Sequence, residues 1–146
     1  MPNDLTNNIY IISRCTHNYY AREFRKLGIS VGQFSFIMGI AENPGISQEK
    51  LSQQLMISKS TTALIVQQLL NAGLILRTVD DKDRRNFNLH PTKKTLELLP
   101  KINAIIERCH ETILQDVTPI EGTVLLELLK KVRVRTEKEM GRKPSA

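Results

Sequence analysis

The chain has 146 residues, with 21 Lys and Arg against 15 Asp and Glu, for a formal net charge of +6. That length suits one domain able to bury its own core, and 40% hydrophobic with 25% charged residues excludes collagen-like, disulfide-rich and wholly disordered chains. The apolar runs stay far below the roughly 18 to 20 residues of a membrane span, the start MPNDLTNN lacks the parts of a signal peptide, and two cysteines, Cys15 and Cys109, fit a reducing compartment, so a cytoplasmic protein with no membrane contact is expected.

Leu5, Ile9, Ile12, Thr16, Tyr20, Phe24 and Leu27 recur at helical spacing and predict a first helix over 5–27, closed by Gly28. Ser30 with Gln33 reads as a capping box, and Ile29 with Phe34 as a hydrophobic staple. This second helix reaches about Glu42 and stops at Asn43-Pro44-Gly45. Ser47 caps a short third helix over 47–55, with Ile46 and Leu51 as its staple. Met56-Ile57 make a tight connection, and Ser58 caps a fourth helix to Asn71, ended by Gly73. Two helices joined by so short a turn outline a helix-turn-helix, though any helical bundle contains such pairs.

Leu74–Arg77 and Asn86–Leu89 read as two short strands around a loop of alternating charge, residues 78–85. A hairpin placed directly after a helix-turn-helix makes a winged helix. Thr92 then caps a long helix, with Pro91 and Leu96 as its staple. Leu96, Leu99, Asn103, Ile106, His110 and Ile113 mark its apolar stripe, and Pro100 predicts a kink. Thr118-Pro119-Ile120-Glu121 combines a capping box with proline at the first helical position. Val124, Leu125, Leu128, Leu129 and Val132 make one side of that last helix apolar. Residues 141–146 are expected to be a disordered tail.

Charge is unevenly placed. Arg77, Lys82, Arg84, Arg85, Lys93 and Lys94 crowd one stretch against Asp80, Asp81 and Asp83, and a second basic cluster runs from Lys130 to Lys143. Clustered basic charge points to an anionic partner, nucleic acid first; the competing account is a set of solvated faces.

The run Ser58-Lys59-Ser60-Thr61-Thr62, the segment LLNAGLI at 69–75 and DDKDRR at 80–85 stand at fitting distances. In this order of elements, and over nearly the whole chain, they resemble the MarR family of transcription regulators. The resemblance implies a mainly α fold. A winged helix-turn-helix lobe over 30–91 would sit beside dimerisation helices over 5–29 and 92–140, within a single domain 1–146. It implies a homodimer that binds a pseudo-palindromic operator in double-stranded DNA, acts as a repressor, and is released by a small phenolic or other aromatic effector. No cofactor is expected.

On the fourth helix Thr62, Ile65, Val66, Leu69 and Leu70 form the face toward the core, which leaves Lys59, Ser60, Thr61, Leu64, Gln67 and Gln68 outward. Lys59 suits a phosphate, Ser60 and Thr61 a phosphate or a base, and Gln68 an adenine edge. Many family members have Thr-Arg where this chain has Ala63-Leu64, so Leu64 would offer contact with a thymine methyl in place of a guanine-reading arginine. In the wing, Arg84 matches the family's minor-groove arginine, with Lys82 as second choice. Arg85 is expected to pair with one of the wing aspartates and hold the loop in shape.

Arg14, His17, Tyr20 and Met38 are the first candidates for an effector pocket; packing and surface roles are the alternative. A redox-sensing regulator acting through Cys15, or a winged-helix module that binds protein instead of DNA, are the competing functions. The second would not need Arg84 and would tolerate acidic residues on its recognition helix, whereas no acidic residue lies between Lys59 and Val79. Glu107, Cys109, His110 and Glu111 lie close in sequence but lack a second histidine at i+4, and no metal site is expected. No nucleophile–base set, HExxH or glycine-rich phosphate loop supports an enzyme.

Overall fold

A computed structural model describes residues 4–141. It contains six helices and three short strands: α1 Leu5–Arg25, α2 Val31–Glu42, β1 Ile46–Ser47, α3 Gln48–Gln54, α4 Lys59–Asn71, β2 Ile75–Val79, β3 Phe87–Pro91, α5 Lys93–Ile113 and α6 Pro119–Met140. The fold is mainly α with a winged helix-turn-helix lobe.

Local chemistry sets most boundaries. Side-chain oxygens of Asp4, Ser30, Ser47, Ser58, Thr92 and Thr118 each accept from a backbone N–H in the first turn of the helix that follows. Reciprocal capping boxes form at Ser30–Gln33 and Thr118–Glu121. Gly28 and Gly73, at φ +75° and +66°, turn the chain out of α1 and α4, and the next residues' N–H groups bond back to Phe24 O and Leu69 O at 3.1 and 2.9 Å. Between α3 and α4 the same turn is made by Met56 at φ +53°, where the Ile57 N–H reaches Ser52 O at 3.0 Å. A side chain in that conformation is strained by roughly 1–2 kcal/mol, so the angle between α3 and α4 is held by the packing around it.

The strands form one antiparallel sheet in the order β1-β3-β2. Arg77 pairs with Leu89 and Val79 with Phe87, so β2 and β3 run longer and lie later than the sequence suggests. The third strand, β1, is absent from the sequence reading. It pairs Ile46 with Leu89 and Ser47 with Asn88, and ties the base of the wing to the start of α3.

One core joins these elements. Phe24, Phe36, Ile37, Ile40, Leu51, Leu69, Ile75, Leu89 and Ile102 are fully buried. On α5 the buried residues are Thr95, Ile102, Ile105 and Cys109, with Leu98 and Leu99 partly buried. The stripe expected through Leu96, Asn103, His110 and Ile113 is therefore displaced, and those four are exposed. α5 carries apolar residues on two neighbouring faces, and periodicity alone does not say which one meets the lobe. The helix runs unbroken through Pro100.

α1 and α6 behave differently. Only Phe24 of α1 is buried, while Leu5, Ile9, Tyr10, Ile11 and Ile12 are exposed. α6 has no buried residue at all, although Val124, Leu125, Leu128, Leu129 and Val132 line one side of it. Gly141 follows as its C-terminal cap, and the rest of the tail expected over 141–146 lies outside the described residues.

Candidate nucleic-acid interface

The fourth helix is fixed at both ends. At its start Ser58 Oγ accepts from the Thr61 N–H at 3.2 Å and lies 2.9 Å from Thr61 Oγ1 and 3.2 Å from Ser60 Oγ. At its end Lys94 Nζ donates to Ala72 O at 2.9 Å, and Thr92 Oγ1 donates to Gly73 O at 2.8 Å. The buried Thr95 hydroxyl donates to Leu74 O. The first turn of α5 thus clamps the last turn of α4. The inner face is Thr62, Val66 and Leu69, buried, with Ile65 and Leu70 partly so. Lys59, Ser60, Thr61, Leu64, Gln67 and Gln68 all face outward and are exposed, the division that the helical period predicts.

Several outward groups already have partners. Lys59 Nζ sits 3.6 Å from Glu49 Oε1 of α3, a pair the sequence reading missed because the two residues lie on different helices. Gln67 Nε2 donates to Asn71 Oδ1 at 2.8 Å. Gln33 Nε2, from the start of α2, donates to Gln68 Oε1 at 3.4 Å. Leu64 projects with 60% of its surface exposed.

The wing is shaped by its aspartates. Asp80 Oδ1 accepts from the backbone N–H groups of Lys82 and Asp83 at 2.8 and 3.1 Å, and its Oδ2 accepts from Asn88 Nδ2 at 3.1 Å. These bonds, the backbone ones foremost, hold the Asp80 carboxyl below its ordinary range. Asp83 Oδ1 accepts from the Arg85 N–H at 3.0 Å and pairs with Arg85 Nε at 3.3 Å. Arg85 thus has the pairing expected of it. Lys82 and Arg84 are exposed and have no side-chain partner among the described residues. At the wing's base the Arg77 guanidinium lies 4.3 Å from the centre of the Phe87 ring, a diagonal cross-strand contact.

Between α3, α4 and the wing is an open hollow of about 280 Å³, lined by Ser52, Glu49, Lys59, Thr62, Arg85 and Phe87 among others. Thr62 Oγ1 is buried there without a hydrogen-bond partner among the described residues.

The four effector candidates are not brought together in one chain. Arg14 and His17 are exposed on α1, and His17 lines an open hollow of about 620 Å³ with Arg25, Ile29, Ser30 and Gln33 among its walls. Tyr20 is half-buried in an aromatic stack, its ring 5.2 Å from Phe24 and 6.1 Å from Phe34. Burial, and after it the hydrogen bond and charge interaction with Cys109, push the Tyr20 hydroxyl up to about 12. Met38 packs against the core from α2. Both cysteines are free thiols, Cys15 exposed and Cys109 buried. Among the described residues no three His, Cys, Asp or Glu side chains converge as metal ligands, and no helix is long and apolar enough to cross a membrane.

Known proteins share this arrangement. The profile of the MarR family matches residues 29–87. The HTH-type transcriptional regulator YybA of Bacillus subtilis (strain 168), itself uncharacterized, is 30% identical over 137 residues, which span 94% of this chain and 91% of that protein. A MarR protein from Peptoclostridium difficile superposes with a TM-score of 0.88 at 32% identity, over 95% of this chain and 91% of the other. A putative MarR family regulator from Listeria monocytogenes, solved in complex with a 26mer DNA, superposes with a TM-score of 0.84 at 31% identity over 99% of both chains. These relatives are transcriptional regulators, not enzymes.

Proposed function

The chain belongs to the MarR family of DNA-binding transcriptional regulators, and on that premise we propose that it is a homodimeric repressor of a pseudo-palindromic operator, released by a small aromatic effector. One observation carries the DNA reading: α4 presents an outward face of Lys59, Ser60, Thr61, Leu64 and Gln68 beside a wing whose Lys82 and Arg84 remain uncommitted. The N-terminal half of α4 enters the major groove. Lys59 neutralises a phosphate, Ser60 and Thr61 bond phosphate or base, and Leu64 touches a thymine methyl. Arg84 enters the adjacent minor groove, where A·T-rich DNA is narrow and most negative; Lys82 follows the backbone, and Arg85 supports the wing through Asp83.

The lobe over 30–91 is the reader, and the segments 5–29 and 92–140 hold the second copy. Support comes from the exposed apolar sides of α1 and α6, which one small core leaves uncovered. A two-fold dimer sets two α4 helices about one DNA turn, roughly 34 Å, apart and so requires a pseudo-palindrome.

Release is assigned to the hollow beside His17, with Arg14 one turn earlier on α1 supplying charge for a carboxylate or phenolate. Tyr20 and Met38 lie outside that hollow, packed against the core, where they would transmit a change in α1–α2 spacing and not touch the effector.

The test is a gel shift of the full chain on its own upstream region. Sequence-selective binding that weakens steeply with salt is expected, and its absence refutes the regulator reading. Release by benzoate in wild type but not in His17→Ala supports the effector site, and equal release in both removes His17 from it. Release by peroxide that Cys15→Ser abolishes would favour a redox sensor instead.

A further inference from the structure

We propose that Gln33 is a positioning residue that fixes which way round the Gln68 amide meets DNA, so that Gln68 presents N–H donors and reads a base rich in major-groove acceptors, guanine above all. The proposal rests on the reading of α4 as the helix that enters the groove.

A glutamine amide has an accepting oxygen and a donating nitrogen, and on a bare helix surface it serves either way round. A chain of local bonds, closed by a long contact between exposed side chains, biases that choice here. The backbone N–H of Ser30 donates to Gln33 Oε1 at 3.0 Å, while Ser30 Oγ accepts from the Gln33 N–H at 3.1 Å. A backbone N–H only donates, so the Gln33 atom facing it must be the oxygen. Gln33 Nε2 is therefore turned away from the cap, and it lies 3.4 Å from the Gln68 side chain. That nitrogen in turn only donates, so the Gln68 atom beside it is Oε1. Gln68 Nε2 is left on the other side of its amide, with no partner among the described residues.

The order thus passes from the start of α2 to the outer face of α4, across 35 positions of sequence. The bidentate pairing with adenine asks the glutamine oxygen to accept from N6 while its nitrogen donates to N7. An oxygen already turned toward Gln33 is badly placed for that pairing. Two N–H groups facing the base suit guanine, whose N7 and O6 are both acceptors; thymine O4 offers only one. The expectation of an adenine contact by Gln68 is replaced by one of guanine.

Gln33→Glu separates the two jobs of Gln33. Glutamate at the third helical position completes a capping box as glutamine does, so the start of α2 survives. Its oxygens only accept, however, so the Gln68 amide turns its nitrogen toward residue 33 and its oxygen toward the base. The experiment selects duplexes from a random library with the full chain, then measures affinity for all four base pairs at each half-site position at fixed salt. Wild type, Gln68→Ala, Gln33→Glu and Gln33→Ala are compared, and melting curves check that the variants are folded.

Gln68→Ala is expected to flatten one position at which wild type prefers guanine. Gln33→Glu should weaken all sites alike through its added negative charge. At that one position it should also shift the ratio toward adenine or cytosine, which carry amino groups, by about tenfold, within the range for a single base contact. Gln33→Ala should flatten the position without reversing it. A purely structural Gln33 would lower affinity everywhere and leave the preference unmoved; that result overturns the proposal, as does a Gln68→Ala profile identical to wild type. If wild type selects no duplex at all, the failure lies in the reading of α4 as a DNA reader.

Discussion

The double substitution Leu125→Ala and Leu129→Ala on α6 tests whether the last helix is an interface. In one chain these leucines are 40% and 45% exposed, and no residue of α6 is buried. Full burial of a leucine side chain contributes about 1.5–3 kcal/mol, so the part still exposed leaves about 1 kcal/mol per side chain to be gained from a partner. Two leucines in each of two protomers give four side chains and about 4 kcal/mol, which at 1.4 kcal/mol per tenfold is a dissociation constant about a thousandfold higher. Sedimentation equilibrium over a concentration series reads that constant directly. Leu76→Ala is the control: Leu76 is more exposed still but sits on the wing strand β2, and its loss should leave dimerisation unchanged. A double variant that dimerises as tightly as wild type, or a wild type that is monomeric at micromolar concentration, refutes the assignment of α6.

Three further outcomes follow from the lobe. Arg84→Ala should weaken operator binding about tenfold or more and reduce the salt slope by about 1 per protomer; an unchanged slope would place Arg84 outside the groove. Asp80 titrates in the wing, and because its ionised form accepts the bonds from Lys82, Asp83 and Asn88, its folded value lies below the ordinary 3.8. Its contribution to wing order is therefore complete above that ordinary value and lost as pH falls through the depressed one. Amide NMR shifts of Lys82 and Asp83 should stay constant from pH 8 to about 5 and move only in more acid solution; movement near neutral pH would contradict the bonding described. Gly39→Ala would set a methyl 2.8 Å from Leu51 Cδ1, where α2 crosses α3, and should lower stability by about 1–3 kcal/mol in thermal melts, since an overpacked core must shift. A melting temperature equal to wild type would mean that Leu51 moves aside freely.

What the sequence discloses is what neighbouring residues decide among themselves. The capping boxes at Ser30–Gln33 and Thr118–Glu121 span three residues and form as read. The inward face of α4 follows from a period with one clear apolar side. Features settled by distant residues were hidden. β1 is two residues long and exists only because Leu89 and Asn88 arrive beside it. The buried face of α5 depends on which of two apolar sides meets the lobe, so Thr95, Ile102, Ile105 and Cys109 displaced the expected stripe. In the interface, the outward position of Lys59 and Gln68 was legible, but their contacts with Glu49 and Gln33 were not, because each crosses between helices. Arg14, His17, Tyr20 and Met38 share a chemistry suited to an aromatic acid but not a place, because the fold separates the two exposed residues from the two packed ones.

These internal contacts change how the net charge of +6 should be understood. The cations on the outward face of α4 and in the wing loop are Lys59, Lys82, Arg84 and Arg85, yet Lys59 faces Glu49 and Arg85 faces Asp83. An exposed pair contributes only about 0–1 kcal/mol, so Lys59 can exchange its carboxylate for a phosphate at small loss when the register is right. In the proposed complex Glu49 would stay beside that phosphate and repel any backbone that approaches without compensating base contacts from α4. In the proposed complex Lys82 would attract every duplex alike and Arg84 would favour a narrow minor groove, whereas the Glu49–Lys59 pair would penalise a wrong register. A protein with more free cations would bind DNA more tightly and choose less well among sequences. In the proposed dimer, two lobes joined through α1 and α6 would double both terms, so that selectivity would depend on the dimer as much as on any one side chain.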